Sequence, residues 1–306
     1  MWSILYASGD TPITESLLEF GALFGPLIAD GQYWRLVTAT FLHADFTHLA
    51  MNGIGILAFG QLVEKSYGHI RFVIIYLLAG LSGSVASFMF NANTIGVGAS
   101  GGAFGLLGAL AGYFLLQRNI MGKMAKHNFS AIGILAAISL GFGIISPGID
   151  NWAHVGGLMS GFVVGIALSP RYKISIGTEI DTAKISNTKT LFQQLWIVPT
   201  ISGVLVIGIF LGNLKVSNNP LPSFEHVENI YGDMDFQEIL NDINSSIDSE
   251  KATSKTYYTR ALIYIEIGDS QNAVRDLKTA IRIGRFNDRE TMMDAISLLL
   301  LIRSNE

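Results

Sequence analysis

Apolar residues recur along the first two thirds of the chain in runs rather than in short alternations. Mostly apolar stretches lie at 72–90, 98–116, 129–147, 152–168 and 195–212. Each approaches the roughly 20 residues a helix needs to cross a bilayer. A sixth stretch, 49–63, is apolar but follows His48 and carries Asn52, and it too reads as a helix. Residues 8–46 mix polar and aromatic positions, with Trp34, Arg35 and His43, and read as an extracellular or interfacial loop. Residues 1–7 are apolar, yet seven helical residues rise only about 10 Å against a hydrocarbon core of about 30 Å. They also lack the basic start of a signal peptide.

Composition sharpens this pattern. Of 306 residues, 50% are hydrophobic and only 14% are charged, with 33 glycines and no cysteine. Ordinary soluble domains carry about 25% charge. The shortage is uneven, because residues 213–306 hold 10 Lys/Arg and 15 Asp/Glu. The chain therefore reads as a membrane domain of some 210 residues followed by a normally charged tail. A net charge of −4 implies no general attraction to nucleic acid. The absence of cysteine removes disulfides, thiolate zinc sites and a cysteine nucleophile.

The few basic residues give an orientation. Lys65 and Arg71, then Arg118, Lys123 and Lys126, then Arg171, Lys173, Lys184 and Lys189 occupy one alternate set of loops. The other set, 91–97 and 146–151, holds no Lys or Arg. By the positive-inside rule the basic loops are cytoplasmic. Helix 49–63 then starts outside, 195–212 ends outside, and the tail is extracytoplasmic. Pro220 and Pro222 mark a stiff linker into that tail. Within it, Asp242-Ile243-Asn244-Ser245-Ser246-Ile247 matches Asp276-Leu277-Lys278-Thr279-Ala280-Ile281 at an offset of 34. Ala261, Tyr264, Gly268, Asp269, Ala273 and Ala280 stand at tetratricopeptide-like spacings.

Polar groups inside spans are expensive and mark function. Three places stand out. His48 and Asn52 are four residues apart on one helical face. Gly98-Ala99-Ser100-Gly101-Gly102 opens a span, and His154 opens another, followed by Gly157 and Gly161. All lie toward the outer ends of their helices in this topology. Together they supply an acyl-transfer site. Ser100 needs a base, and His154 is the candidate. The His48 ring, the Asn52 amide and the Ser100 N–H can serve the oxyanion. Gly101, Gly102, Gly105, Gly157 and Gly161 are small enough for two helices to approach closely. Ser100 at a helix start also meets orphan N–H groups and a positive dipole end.

Each piece alone has a plain alternative. A serine in a span bonds back to its own helix, a histidine caps an interface, and Gly-x-x-x-Gly simply packs. The conjunction at one depth favours the site. Gly98-x-Ser100-x-Gly102 with Asp150 and His154 also fits the nucleophile-elbow order, but that fold needs alternating strands and helices. No His-Glu pair begins a zinc-protease motif, and no Asp lies within the clear spans. His69, His127 and His226 read as loop or tail residues.

These residues resemble the rhomboid family of intramembrane serine proteases. The similarity runs from about residue 15 to 170. It covers Trp34-Arg35, Phe41-Leu42-His43, His48-Leu49-Ala50-Met51-Asn52 and Gly60-x-x-x-Glu64-x-x-x-Gly68. It continues through Gly98-Ala99-Ser100-Gly101 and Ala153-His154-x-Gly156-Gly157-x-x-x-Gly161. The resemblance implies a nucleophile at Ser100, a base at His154 without a third acidic member, and oxyanion contacts from His48 and Asn52. Phe104 matches an aromatic that stacks on the catalytic imidazole, with Gly98, Gly101, Gly157 and Gly161 in support. No metal or cofactor is implied.

The resemblance implies an all-α polytopic bundle with an incomplete first span, one extra span and a helical-repeat tail. The domains expected are 1–170, a membrane protease; 171–218, a cytoplasmic loop plus the extra span; and 219–306, an extracytoplasmic tetratricopeptide-like tail. Without a complete first span, activity is expected to be lower than in an N-terminally extended chain. The implied activity is cleavage of transmembrane proteins near the outer face of a bacterial cytoplasmic membrane. Small residues near the cut and helix-destabilising residues beyond it would be favoured. Partners would be membrane-protein substrates, the lipid bilayer and proteins recruited by the tail. A non-cleaving rhomboid-like scaffold is the alternative, and a transporter would instead spread its polar residues along a pathway.

Overall fold

Each long apolar run needs a signal to stop and another to start, and short polar or glycine-bearing turns provide them. The computed structural model describes residues 13–146, 148–176, 183–187, 190–217, 235–249 and 252–304. The N-terminal extension, the 220–222 linker and His226 lie outside the described residues.

The described chain begins with three short helices, α1 (Ile13–Glu19), α2 (Gly25–Ala29) and α3 (Arg35–Thr38), and a 3-10 turn at Ala39–Phe41. None is long enough to cross a membrane, as expected of a loop. They close around Leu18, Phe24, Leu27 and Ile28, all fully buried. Arg35 is the polar pin of this cluster. Its guanidinium donates to the carbonyls of Leu18 and Ala22 at 2.7 and 3.0 Å and lies over the Trp34 ring. Burial lowers its pKa to about 10.

Six longer helices follow: α4 (Phe46–Tyr67), α5 (His69–Phe90), α6 (Ser100–Leu116), α8 (Lys123–Ile145), α9 (Asn151–Leu168) and α11 (Ile197–Ser217). Short α7 (Arg118–Met121) and α10 (Leu191–Gln194) precede α8 and α11. Five stretches are long and apolar enough to cross a membrane, and α6 is a shorter apolar helix of 17 residues. Asp45 caps α4 by accepting from the His48 N–H at 2.8 Å. Gly68, at φ +84°, ends α4 and lets α5 begin at the next residue. A residue with a Cβ is strained in that left-handed region.

Several boundaries differ from the hydropathy runs. α8 begins at Lys123 rather than at 129, so Lys123, Lys126 and His127 are helical, not loop residues. His69 is likewise the first residue of α5. These helices continue past their apolar centres, and charged residues at helix ends hide that extension from hydropathy. Between α9 and α10, Tyr172–Ile176 (β1) pairs antiparallel with Ala183–Asn187 (β2) in the register Tyr172–Asn187 to Ile176–Ala183. The architecture is otherwise helical among the described residues.

α6 is the central helix and packs on α5 and α9. It pairs with α9 through small residues. A Cβ at Gly157 would strike the Gly101 carbonyl, one at Gly161 the Gly105 carbonyl, and one at Gly165 the backbone of Ala109. The four-residue step on both helices keeps their backbones in contact over about two turns. At the far end Tyr67 donates its hydroxyl between the carbonyls of Ala109 and Gly165, at 2.8 and 3.1 Å. α11 rests on α5, where Gly208 faces Val85 and Met89 and Gly212 faces the Phe88 ring. Near the start of α11, Gln194 accepts from Arg71 at 2.9 Å and donates to the Ser169 carbonyl at 2.8 Å.

The chain divides into two compact units, Met1–Lys215 and Val216–Glu306. The second holds α12 (Phe236–Asp248), α13 (Ser254–Glu266), α14 (Ser270–Asn287) and α15 (Arg289–Ser304). Gly268, at φ +79°, ends α13, and Asp269 caps α14 by accepting from the Asn272 N–H. Ala261, Ala273 and Ala280 are fully buried, so the small residues sit where helices meet. The two matching sextets fall on α12 and α14, but Asp242 is exposed while Asp276 is buried. Asp276 takes two bonds from Arg260, at 2.6 and 2.9 Å, and Arg260 also reaches Asn244. This pairing holds the Arg260 pKa above its ordinary value. Arg260→Ala would leave a buried carboxylate unpaired, which costs about 3 kcal/mol. The expected result is faster hydrogen exchange in α13 and α14 of the full chain.

Candidate functional site

The three helices that carry polar residues begin at the same end of the bundle. His48 is the third residue of α4, Ser100 the first of α6 and His154 the fourth of α9. Because α6 and α9 run parallel through their glycine contact, their first turns are held side by side. Ser100 Oγ and His154 Nε2 lie 2.9 Å apart. At that separation a histidine can take a proton from a serine hydroxyl.

The Phe104 ring, one turn along α6, stacks on the His154 imidazole at 4.2 Å between centroids and 11° between planes. His154 Nδ1 is buried and has no hydrogen-bond partner among the described residues. No carboxylate therefore completes a triad there. Asp150, which follows Ser100 in the elbow-like order, instead turns its carboxylate to the start of α9.

Gly98 joins this pair to His48 and Asn52. It sits at φ +121°, and its N–H donates to the Ala39 carbonyl at 2.9 Å. A Cβ there would lie 2.7 Å from two atoms of the His48 ring and 3.2 Å from Asn52 Nδ2. Glycine is thus demanded by conformation and by space. Leu23 and Gly96 exchange backbone hydrogen bonds, so the N-terminal short helices hold the 91–98 loop against the site. Asn52 is buried, and its Nδ2 donor has no partner among the described residues. A buried unpaired donor costs about 1–3 kcal/mol. A donor left unpaired in this way can receive a charge that develops only during a reaction. The α6 N-terminus is also left without a side-chain cap, so its first N–H groups face the same region.

Every expected site residue falls within this cluster or on the α6–α9 seam. Gly101 lies where a Cβ would make only ordinary contact, 3.5 Å from the Ala153 carbonyl, whereas Gly157 and Gly161 leave no room. Gly83 and Ser87 escape the sequence reading, and His43 enters it only as a loop residue and part of the family resemblance. Gly83 on α5 would place a Cβ 2.6 Å from the Ala153 carbonyl. His43 is buried with its ring edge-on to His48 at 5.3 Å, and burial with the neighbouring His48 lowers its pKa. Ser87 donates its hydroxyl to Asp150 across two helices. For Asp150 a signal existed, since Asp before an apolar helix is a common N-cap.

Fold and site together define a multi-pass helical membrane protein with a serine–histidine pair at the shared end of three helices. Residues 30–171 match the family model described as Rhomboid domain. The chain is 32% identical over 282 residues to Rhomboid protease GluP of Bacillus subtilis, covering 92% of this chain and 52% of that protein. It is 32% identical over 211 residues to RHOMBOID-like protein 4 of Arabidopsis thaliana, covering 68% and 52%. It is 39% identical over 158 residues to the mitochondrial RHOMBOID-like protein 6 of the same plant, covering 51% of each. The chain spans about half the length of these curated relatives. These matches support the rhomboid family.

Proposed function

We propose that the chain is a rhomboid intramembrane serine endopeptidase that cuts transmembrane segments near the outer membrane face. The observation that carries this reading is the 2.9 Å approach of Ser100 Oγ to His154 Nε2, with Phe104 stacked on the imidazole. Ser100 attacks the scissile carbonyl while His154 takes its proton, and His154 then gives that proton to the leaving amine. His48, Asn52 and the N–H groups opening α6 receive the oxyanion. Water then hydrolyses the acyl-enzyme. The substrate helix must unwind locally, because a hydrogen-bonded helical peptide is a poor target. The outer-face assignment rests on the basic loops at the opposite helix ends.

The test is cleavage of a fluorescent transmembrane substrate by the purified full chain. His48→Ala and Asn52→Ala should each lower kcat by about 10²-fold, the usual size for loss of one oxyanion donor. A scaffold that binds spans without cutting them would show no turnover and no dependence on these residues.

The tail reading is separate. The alanine and glycine spacings and the α13–α14 helical pair support a tetratricopeptide-like tail that recruits partners or substrate soluble domains. Deleting 219–306 should change the relative kcat/KM among substrates while leaving turnover of a minimal transmembrane peptide within about threefold. Loss of cleavage toward every substrate in a folded deletion would contradict that role.

A further inference from the structure

We infer that Asp150 and Ser87 are positioning residues for His154, an inference that rests on the Ser100–His154 reading above. Asp150 is the residue before α9 and stands four positions ahead of His154, on the same helical face. Its Oδ1 accepts from the Trp152 and Ala153 N–H groups at 3.1 and 3.2 Å. Its Oδ2 accepts the hydroxyl of Ser87 from α5. One carboxylate thus ties the first turn of α9 to a different helix.

Ser87 could have done otherwise. Ser82, on the same helix, bonds back to the Leu78 carbonyl at 2.7 Å, the common habit of a serine in a span, and also meets Ser160 Oγ of α9 at 2.8 Å. Ser87 is 1% exposed and sends its hydroxyl across to Asp150, so its bond joins α5 to the cap of α9 while that of Ser82 joins α5 to the body of α9. The two helices also approach closely, because a Cβ at Gly83 on α5 would lie 2.6 Å from the Ala153 carbonyl oxygen. α5 is therefore the surface on which the first turn of α9 is seated.

The imidazole needs that seat. With Nδ1 unpartnered, no hydrogen bond from the described residues grips the ring from behind. Its aim at Ser100 depends on the stack against Phe104 and on the backbone that carries it. Asp150 and Ser87 fix that backbone without touching the reacting atoms. Misplacement by about 1 Å of a reacting group costs about 10²-fold in rate.

The experiment uses the purified full chain, with Ser87→Ala, Ser87→Thr, Asp150→Ala and Asp150→Asn. Three quantities are read: kcat and KM on the fluorescent transmembrane substrate, the rate of labelling by a fluorophosphonate, and the unfolding temperature. Ser87→Ala should lower kcat and labelling about tenfold with KM and unfolding temperature held, and Ser87→Thr should recover most of it. Asp150→Ala should cost about 10²-fold, with Asp150→Asn between it and wild type because an amide oxygen still caps α9. The double variant Ser87→Ala/Asp150→Ala should be no worse than Asp150→Ala, since one contact is removed twice.

Wild-type labelling in Ser87→Ala and Asp150→Ala would overturn the inference, as would losses that only follow a falling unfolding temperature. Ser100→Ala run alongside separates the two readings. Cleavage that survives Ser100→Ala sinks the protease mechanism itself. Cleavage lost in Ser100→Ala but unchanged in the Ser87 and Asp150 variants sinks only the positioning role.

Discussion

Ser100→Ala is expected to reduce cleavage of a transmembrane substrate by about 10⁴-fold or more, to the background of the assay. His154→Ala should do the same, and the double variant should be no slower than either single one. The reason is that in the proposed mechanism the two side chains act as one unit. A serine hydroxyl at its ordinary pKa is a weak nucleophile, and the imidazole 2.9 Å away is placed to accept its proton. Removing either atom removes the same step, so the losses do not add. Substrate affinity should survive, because neither side chain contributes much surface to a docked helix. Turnover that persists in Ser100→Ala, with the protein shown free of contaminating protease, would refute the mechanism.

The second large effect lies away from the reacting atoms. Gly161→Leu should abolish activity and lower the unfolding temperature of the membrane unit. A Cβ at position 161 would fall on the Gly105 carbonyl, and a leucine adds a branched chain beyond it. The contact is backbone to backbone, so no flexible side chain can move aside. The helices must part, and overpacking of this kind costs about 1–3 kcal/mol or more. Parting α6 from α9 also parts Ser100 from His154, because each sits at the start of one of these helices. Gly157→Leu should behave alike, since its Cβ would meet the Gly101 carbonyl. Gly133→Ala and Gly141→Ala are the controls, because a Cβ at either meets nothing within 4 Å. Equal losses at all four positions would show that the α6–α9 seam has no special role.

Hydropathy made the bundle legible, but only in its middle. The runs at 72–90 and 152–168 lie inside α5 and α9, while α8 starts six residues before its run. A helix continues as long as its backbone bonds are satisfied, whereas hydropathy falls once Lys123 and Lys126 enter the window. α1 to α3 were not visible at all, since helices of four to seven residues carry too few positions to show a period.

The site was more legible than the fold around it. His48, Asn52, Ser100 and His154 stand out because polar residues are few in apolar spans. Ser87 did not stand out, since a serine in a span is easily satisfied by its own helix and its partner lies 63 positions away. Nor could the sequence separate Gly101, which meets only ordinary contacts, from Gly157, which admits no Cβ. That distinction depends on which face each glycine turns to the opposite helix.

The measurement that bears most directly on the central claim is a mass-spectrometric map of the chain after reaction with a fluorophosphonate. A phosphonyl adduct on Ser100 is predicted in the wild-type protein, with the adduct lost in His154→Ala although the hydroxyl remains. No adduct on Ser100 in a folded chain that cleaves its substrate, or an adduct indifferent to His154, would contradict the account.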